Sequence, residues 1–102
     1  MAREAFQTLT EPMYYILLAL TQEQCGVDIM AKVEEISKGR VSVGPGTLYT
    51  MLQKFNENSM VKITRSEGAR KWYIISAKGR DMLIAERERL MIQYEDGDIL
   101  EQ

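Results

Sequence analysis

Apolar residues recur along this chain with two different periods, and the change of period divides it into elements. Met13, Ile16, Leu17 and Leu20 return every three to four positions, the repeat of a helix face turned toward a core. Thr10 stands where an N-cap is needed, Pro12 fits the first turn, and Leu9 with Tyr14 has the spacing of a hydrophobic staple. A second helical face, Ile29, Val33 and Ile36, begins near Gly26 and is closed by Gly39. Residues 40–43 read as a short β-prone stretch. Gly44-Pro45-Gly46 then breaks the chain, and Pro45 suits the first position of a third helix. The buried stripe of that helix is Leu48, Leu52 and Phe55, and its end falls at Asn58-Ser59.

From Met60 the period shortens to two. Residues 60–65 and 70–76 read as strands joined by Ser66-Glu67-Gly68-Ala69, with Trp72 and Ile74 on one side of the second strand and Tyr73 and Ile75 on the other. Ser76 caps a last helix expected to run from residue 77 to about residue 94. The acidic tail, residues 96–102, is expected to fray as a flexible end. The order predicted is helix, helix, short strand, helix, strand, turn, strand, helix. It describes a mainly α fold with a small β-hairpin wing (α+β): a winged helix-turn-helix DNA-binding domain over residues 9–76, then a long helix over 77–95. That last helix has no place in the minimal core and needs something to pack against. A chain of 102 residues holds one such domain and buries a modest core, so a partner subunit is a natural source of further burial.

Composition removes most catalytic readings. There is no histidine, the commonest general base and metal ligand, and the one cysteine, Cys25, offers neither a disulfide nor a metal cluster. No paired carboxylates can be assigned to a cleft, since the acidic residues gather in the last helix and tail. The expectation is a protein that is not an enzyme, with no cofactor and no metal. No apolar run approaches the roughly 20 residues of a membrane span, and residues 13–20 lack the flanks of a signal peptide, so a cytoplasmic location and no membrane partner are expected.

The net charge of −2 changes meaning once it is resolved along the chain. Residues 30–80 hold ten Lys and Arg against four Glu, a net +6, and the remainder holds three basic against eleven acidic residues, a net −8. A basic middle between acidic ends is the asymmetry expected when one face meets phosphates. With the apolar stripe of the third helix buried, its exposed side carries Thr47, Thr50, Gln53 and Lys54, with Tyr49 at the edge. These are donors and acceptors for base edges and phosphates in a major groove. Lys38 and Arg40 ahead of that helix, and Arg65, Arg70 and Lys71 around the hairpin turn, are the candidate phosphate contacts. In the last helix Leu83, Leu90 and Tyr94, with Ile84 and Met91 beside them, flank the run Glu86-Arg87-Glu88-Arg89. That pattern reads as a self-pairing helix, with Leu83, Leu90, Met91 and Tyr94 as candidate dimer contacts. A two-fold dimer would set two recognition helices roughly 34 Å apart on one side of a duplex.

The stretch Gly39-Arg40-Val41-Ser42-Val43-Gly44-Pro45-Gly46-Thr47-Leu48-Tyr49 resembles the opening of the recognition helix in the PadR family of bacterial regulators, in its short members that end after one dimerisation helix. The resemblance is carried further by Leu9-Thr10-Glu11, by Ile29-Met30 with Val33-Glu34-Glu35, and by Arg70-Lys71-Trp72-Tyr73 with Ser76 and Gly79, and it runs from about Leu9 to about Leu90. It implies a homodimer whose last helix crosses its partner and packs against the amino-terminal segment. It implies that Thr47, Tyr49, Thr50 and Lys54 face DNA, with Arg70 and Lys71 on the wing. It also implies repression of nearby genes, relieved by a small aromatic or lipophilic effector near the dimer interface. Three positions depart from the family pattern. Cys25-Gly26-Val27 replaces the usual His-Gly-Tyr, Ser59 stands where a glycine is usual, and the last helix has no tryptophan for a stacking pocket. Met13, Met91 and Tyr94 are the candidate effector contacts, with interface packing as their alternative role. The function expected is a homodimeric, double-stranded-DNA-binding repressor. The alternative is a winged-helix adaptor that binds protein and not DNA.

Overall fold

Helix α1 (Glu11–Ala19) begins at a cap provided by its own sequence: the Thr10 hydroxyl accepts the Met13 N–H at 3.3 Å, and Pro12 lies in the first turn. The computed structural model describes residues 8–102. After α1 the chain makes a two-residue strand, β1 (Gln24–Cys25), and enters α2 (Gly26–Ser37). Helix α2 is stopped by two successive left-handed residues, Lys38 at φ 55° and Gly39 at φ 81°, with the Gly39 N–H returning to the Glu34 carbonyl at 2.8 Å. Helix α3 (Pro45–Glu57) follows, then the strands β2 (Val61–Glu67) and β3 (Arg70–Ile75). Helix α4 (Ala77–Asp96) opens with the Ser76 hydroxyl accepting the Gly79 N–H at 3.0 Å.

Two expectations about strands are corrected. Residues 40–43 form no strand. Val41 and Val43 are buried, but the segment is tied locally: the Ser37 hydroxyl accepts the Val41 N–H at 3.0 Å and donates to the Val41 carbonyl at 3.2 Å. The third strand is β1 instead, which pairs antiparallel with the outer edge of β3 through Gln24 opposite Tyr73 and Cys25 opposite Trp72. The sheet order is therefore β1-β3-β2. The wing hairpin is also longer and tighter than the sequence predicts. Its ladder reaches Glu67 opposite Arg70, leaving Gly68 and Ala69 as a two-residue turn with Gly68 at φ 59°. Thr64 is the extra residue of a bulge between the pairs Ile63–Tyr73 and Arg65–Trp72.

The core is built from one face each of α1, α2 and α3, the wing hairpin and the start of α4. Ile16, Leu17 and Leu20 meet Ile29 and Val33 of α2, Leu48, Leu52 and Phe55 of α3, and Met60, Val61, Tyr73 and Ile75 of the hairpin. Leu83 closes it from α4, so a residue expected at the dimer interface belongs to the domain's own core. Met13 lies in the same core, 5% exposed. On α4 the buried positions are Gly79, Leu83 and Glu86, all in its first half; the rest of the helix leaves the body, within overall extents of 57 × 39 × 21 Å. Where the sequence predicts a fraying tail, α4 runs on to Asp96 and residues 97–101 wind into a 3-10 turn (Gly97–Glu101).

Glu86 belongs in the sequence to the charged run Glu86-Arg87-Glu88-Arg89, yet it is 4% exposed. Its carboxylate accepts the Leu9 N–H at 3.1 Å and two hydrogen bonds from the Arg89 guanidinium at 2.8 and 2.7 Å. The Arg89 bonds, helped by the Leu9 amide, hold the Glu86 carboxyl below its ordinary value against the opposing effect of burial. This carboxylate fastens the entry to α1 onto α4.

Candidate nucleic-acid interface

With Leu48, Leu52 and Phe55 turned inward, α3 presents Thr47, Tyr49, Thr50, Gln53 and Lys54 outward, all exposed. No acidic residue lies in its first turn, and its only acidic side chain, Glu57, accepts from the Gln53 amide at 3.3 Å in the last turn. The leading end of α3 is thus polar and free of negative charge, and its first N–H groups add the positive end of the helix dipole.

The wing stands beside this helix. Tyr49 of α3, Cys25, Gly26 and Val27 at the head of α2, and Ala69, Arg70, Lys71 and Tyr73 of the wing together line a cleft of about 370 Å³. The fit at its floor is close: a β-carbon on Gly26 would come within 2.1 Å of the Tyr49 hydroxyl. Among the described residues, Lys54, Arg70 and Lys71 enter no ion pair, so three cations flank the polar face of α3 with their charge uncompensated by a carboxylate.

The other expected phosphate contacts are arranged differently. Arg40 is drawn back onto α1, where it donates to the Glu11 carboxylate at 2.9 Å and to the Tyr15 hydroxyl at 3.1 Å. It buttresses the loop that leads into α3. Arg65 stacks on Trp72, its guanidinium carbon 3.8 Å from the ring centroid, and pairs with Glu67 at 3.5 Å; Arg70 approaches the same ring at 5.8 Å. Lys38 is exposed at the C-cap of α2. Spacing along the chain gives no hint of the Arg40 contacts, because Glu11 and Tyr15 lie more than twenty residues away.

On α4, Ile84, Leu90, Met91 and Tyr94 share one face at helical spacing and are 50%, 37%, 53% and 80% exposed. Ile99 and Leu100 of the 3-10 turn are also open to solvent. Met13, Met91 and Tyr94 do not converge on one cavity, since Met13 is sealed in the core. A different apolar hollow of about 190 Å³ lies between α1 and α4, lined by Leu9, Glu11, Tyr14, Tyr15 and Leu90. No helix of the described residues is long and apolar enough to cross a membrane.

Among curated protein sequences none is similar enough to match. Solved structures are. A PadR-like transcription factor from Bacteroides fragilis shares 24% identity at a TM-score of 0.74, with 87% of this chain and 88% of that chain covered. A transcriptional regulator from Clostridium thermocellum gives 16% identity and a TM-score of 0.72 over 86% and 89% of the two chains. RosR of H. salinarum gives 20% identity and a TM-score of 0.64 over 90% and 96%. At these identities the likeness establishes the winged fold and the long terminal helix. The sequence model of the transcriptional regulator PadR-like family matches residues 16–85, from the middle of α1 to the first half of α4. The chain belongs to the PadR-like family of transcriptional regulators.

Proposed function

We propose that this regulator binds double-stranded DNA as a homodimer and represses the genes it controls. The observation that carries the reading is an exposed polar face on α3, which carries Lys54 and whose Tyr49 shares one cleft with the wing cations Arg70 and Lys71, none of the three cations being ion-paired among the described residues. In this reading Thr47, Tyr49, Thr50 and Gln53 face base edges in the major groove, while Lys54, Lys38 and the wing cations meet the phosphates. Arg65 shares its charge with Glu67, and Arg40 acts indirectly, by fixing the approach to α3. The apolar face of α4 supports the dimer, because among the described residues Ile84, Met91 and Tyr94 stay at least half exposed on it.

Relief of repression by a small aromatic or lipophilic compound completes the proposal. The hollow between α1 and α4 suits it, being of the size that holds one aromatic ring and bordered by Leu90 of the dimer face. Fluorescence anisotropy against the DNA upstream of the protein's own gene, beside a scrambled duplex and over a range of salt, tests the central reading. Binding that prefers the upstream DNA and weakens with salt is expected. Absence of binding to either duplex at low salt would favour the adaptor alternative.

A further inference from the structure

The cleft between the wing and the head of α2 contains a feature that the fold itself leaves unused. Tyr73 is 8% exposed and lines the cleft, on the face of β3 that also carries the buried Ile75. Its ring is held in the core, yet among the described residues its hydroxyl has no hydrogen-bond partner and is not sealed from the cleft. Burial, with the Tyr49 phenol nearby, raises its pKa, so at neutral pH it remains a proton donor. Beside it α2 starts without a side-chain cap: Cys25 occupies the N-cap position, and its thiol donates instead to the Asp28 carboxylate at 3.3 Å. The first amides of α2 are therefore left without an acceptor from the helix or the cap. Arg70 and Lys71 close the opposite side of the same cleft.

We propose that this cleft seats one backbone phosphate of the DNA duplex, with the Tyr73 hydroxyl and the uncapped amides at the head of α2 donating to its non-bridging oxygens and Lys71 and Arg70 supplying the countercharge. The proposal rests on the DNA-binding reading above and adds to it a neutral donor buried in the core. Such a donor fixes where the backbone lies without adding to the salt dependence. A residue larger than Gly26 would meet the Tyr49 hydroxyl, which lines the same cleft, so the shape of the seat depends on the glycine. Asp28 is the one carboxylate at this helix head, and its engagement by the Cys25 thiol occupies one of its oxygens.

The test is Tyr73→Phe, which keeps the ring and removes only the hydroxyl. Anisotropy with a mixed-sequence duplex is the readout, because a phosphate contact is blind to sequence. The variant dimer loses one such bond in each protomer and is expected to bind about a hundredfold more weakly, about tenfold for each hydrogen bond to a charged group. Its salt slope should equal the parent's, whereas Lys71→Ala should lower the slope by about two units, one for each protomer of the dimer. Its melting temperature should also match the parent's, since the hydroxyl has no partner within the fold. Parental affinity in Tyr73→Phe overturns the seat and leaves the DNA-binding reading standing. A loss of affinity accompanied by a fall in melting temperature overturns it too, by making Tyr73 structural. A parent protein that binds no duplex at low salt overturns both readings together.

Discussion

Ser59 holds a left-handed backbone, φ 60°, at the junction where α3 hands over to the wing. The conformation is imposed by its neighbours: the Met60 N–H bonds the Phe55 carbonyl at 2.8 Å, and the Ser59 carbonyl accepts the Ser76 hydroxyl at 2.6 Å. A β-carbon there costs on the order of 1 kcal/mol, and the Ser59 side chain is exposed. Ser59→Gly is therefore expected to stabilise the fold by up to about 0.5 kcal/mol after the extra chain entropy of glycine is counted. Urea unfolding should show a higher midpoint with the same slope. Glu86 makes a second prediction at this scale. Its carboxyl titrates lower in the folded state than its ordinary value of 4.5, so its contribution is complete above that value and is lost as the pH falls through the folded one. Glu86→Gln should cost about 1–2 kcal/mol at neutral pH, allowing for the partly exposed Arg89. The gap between parent and variant should narrow between neutral pH and a pH well below the ordinary value. A gap that is the same at both pH values would show that the ionised form is not what stabilises.

The elements meet at one crossing that tolerates no added volume. Where α4 begins, a β-carbon on Gly79 would lie 2.1 Å from the Met60 carbonyl oxygen, a backbone atom that is itself bonded by the Ser76 N–H at 2.9 Å. Gly79→Ala must separate α4 from the strand entry and is expected to cost about 1–3 kcal/mol. That loss corresponds to a fall of roughly 4–8 °C in melting temperature per kcal/mol. Gly46→Ala, whose β-carbon would meet nothing within 4 Å, is the control, and its melting temperature should not fall. The same crossing links the base of the wing to the start of α4.

At the scale of the molecule, the second half of α4 is a helix with an apolar face and no core of its own. A 20-residue helix is about 30 Å long, and among the described residues its buried positions all lie in its first half. Met91→Glu places a charge in the middle of the exposed face without touching the domain's own core, since Met91 is 53% exposed. The variant is expected to sediment as a folded monomer with the parent's helix content and to bind DNA more weakly, having lost the second half-site contact. A dimer that survives the substitution would move the interface elsewhere.

The parts legible in the sequence are those fixed by local chemistry. Thr10, Pro45 and Ser76 start helices because a side-chain oxygen or a fixed φ acts within one turn, and the alternation of Tyr73 and Ile75 sets the inward face of β3 before any partner is known. The exposed face of α3 follows in the same way from the three-to-four spacing of Leu48, Leu52 and Phe55. The tertiary structure alone decided what depends on distant partners. A two-residue β1 exists only because the edge of β3 is free to receive it. Arg40 turns to Glu11 and Tyr15, Leu83 and Met13 fill the domain's own core, and Glu86 is buried only because the Leu9 amide meets it across 77 positions of chain. Composition and periodicity record what each residue prefers beside its neighbours in sequence, while burial and pairing are settled by which surfaces the folded chain brings together.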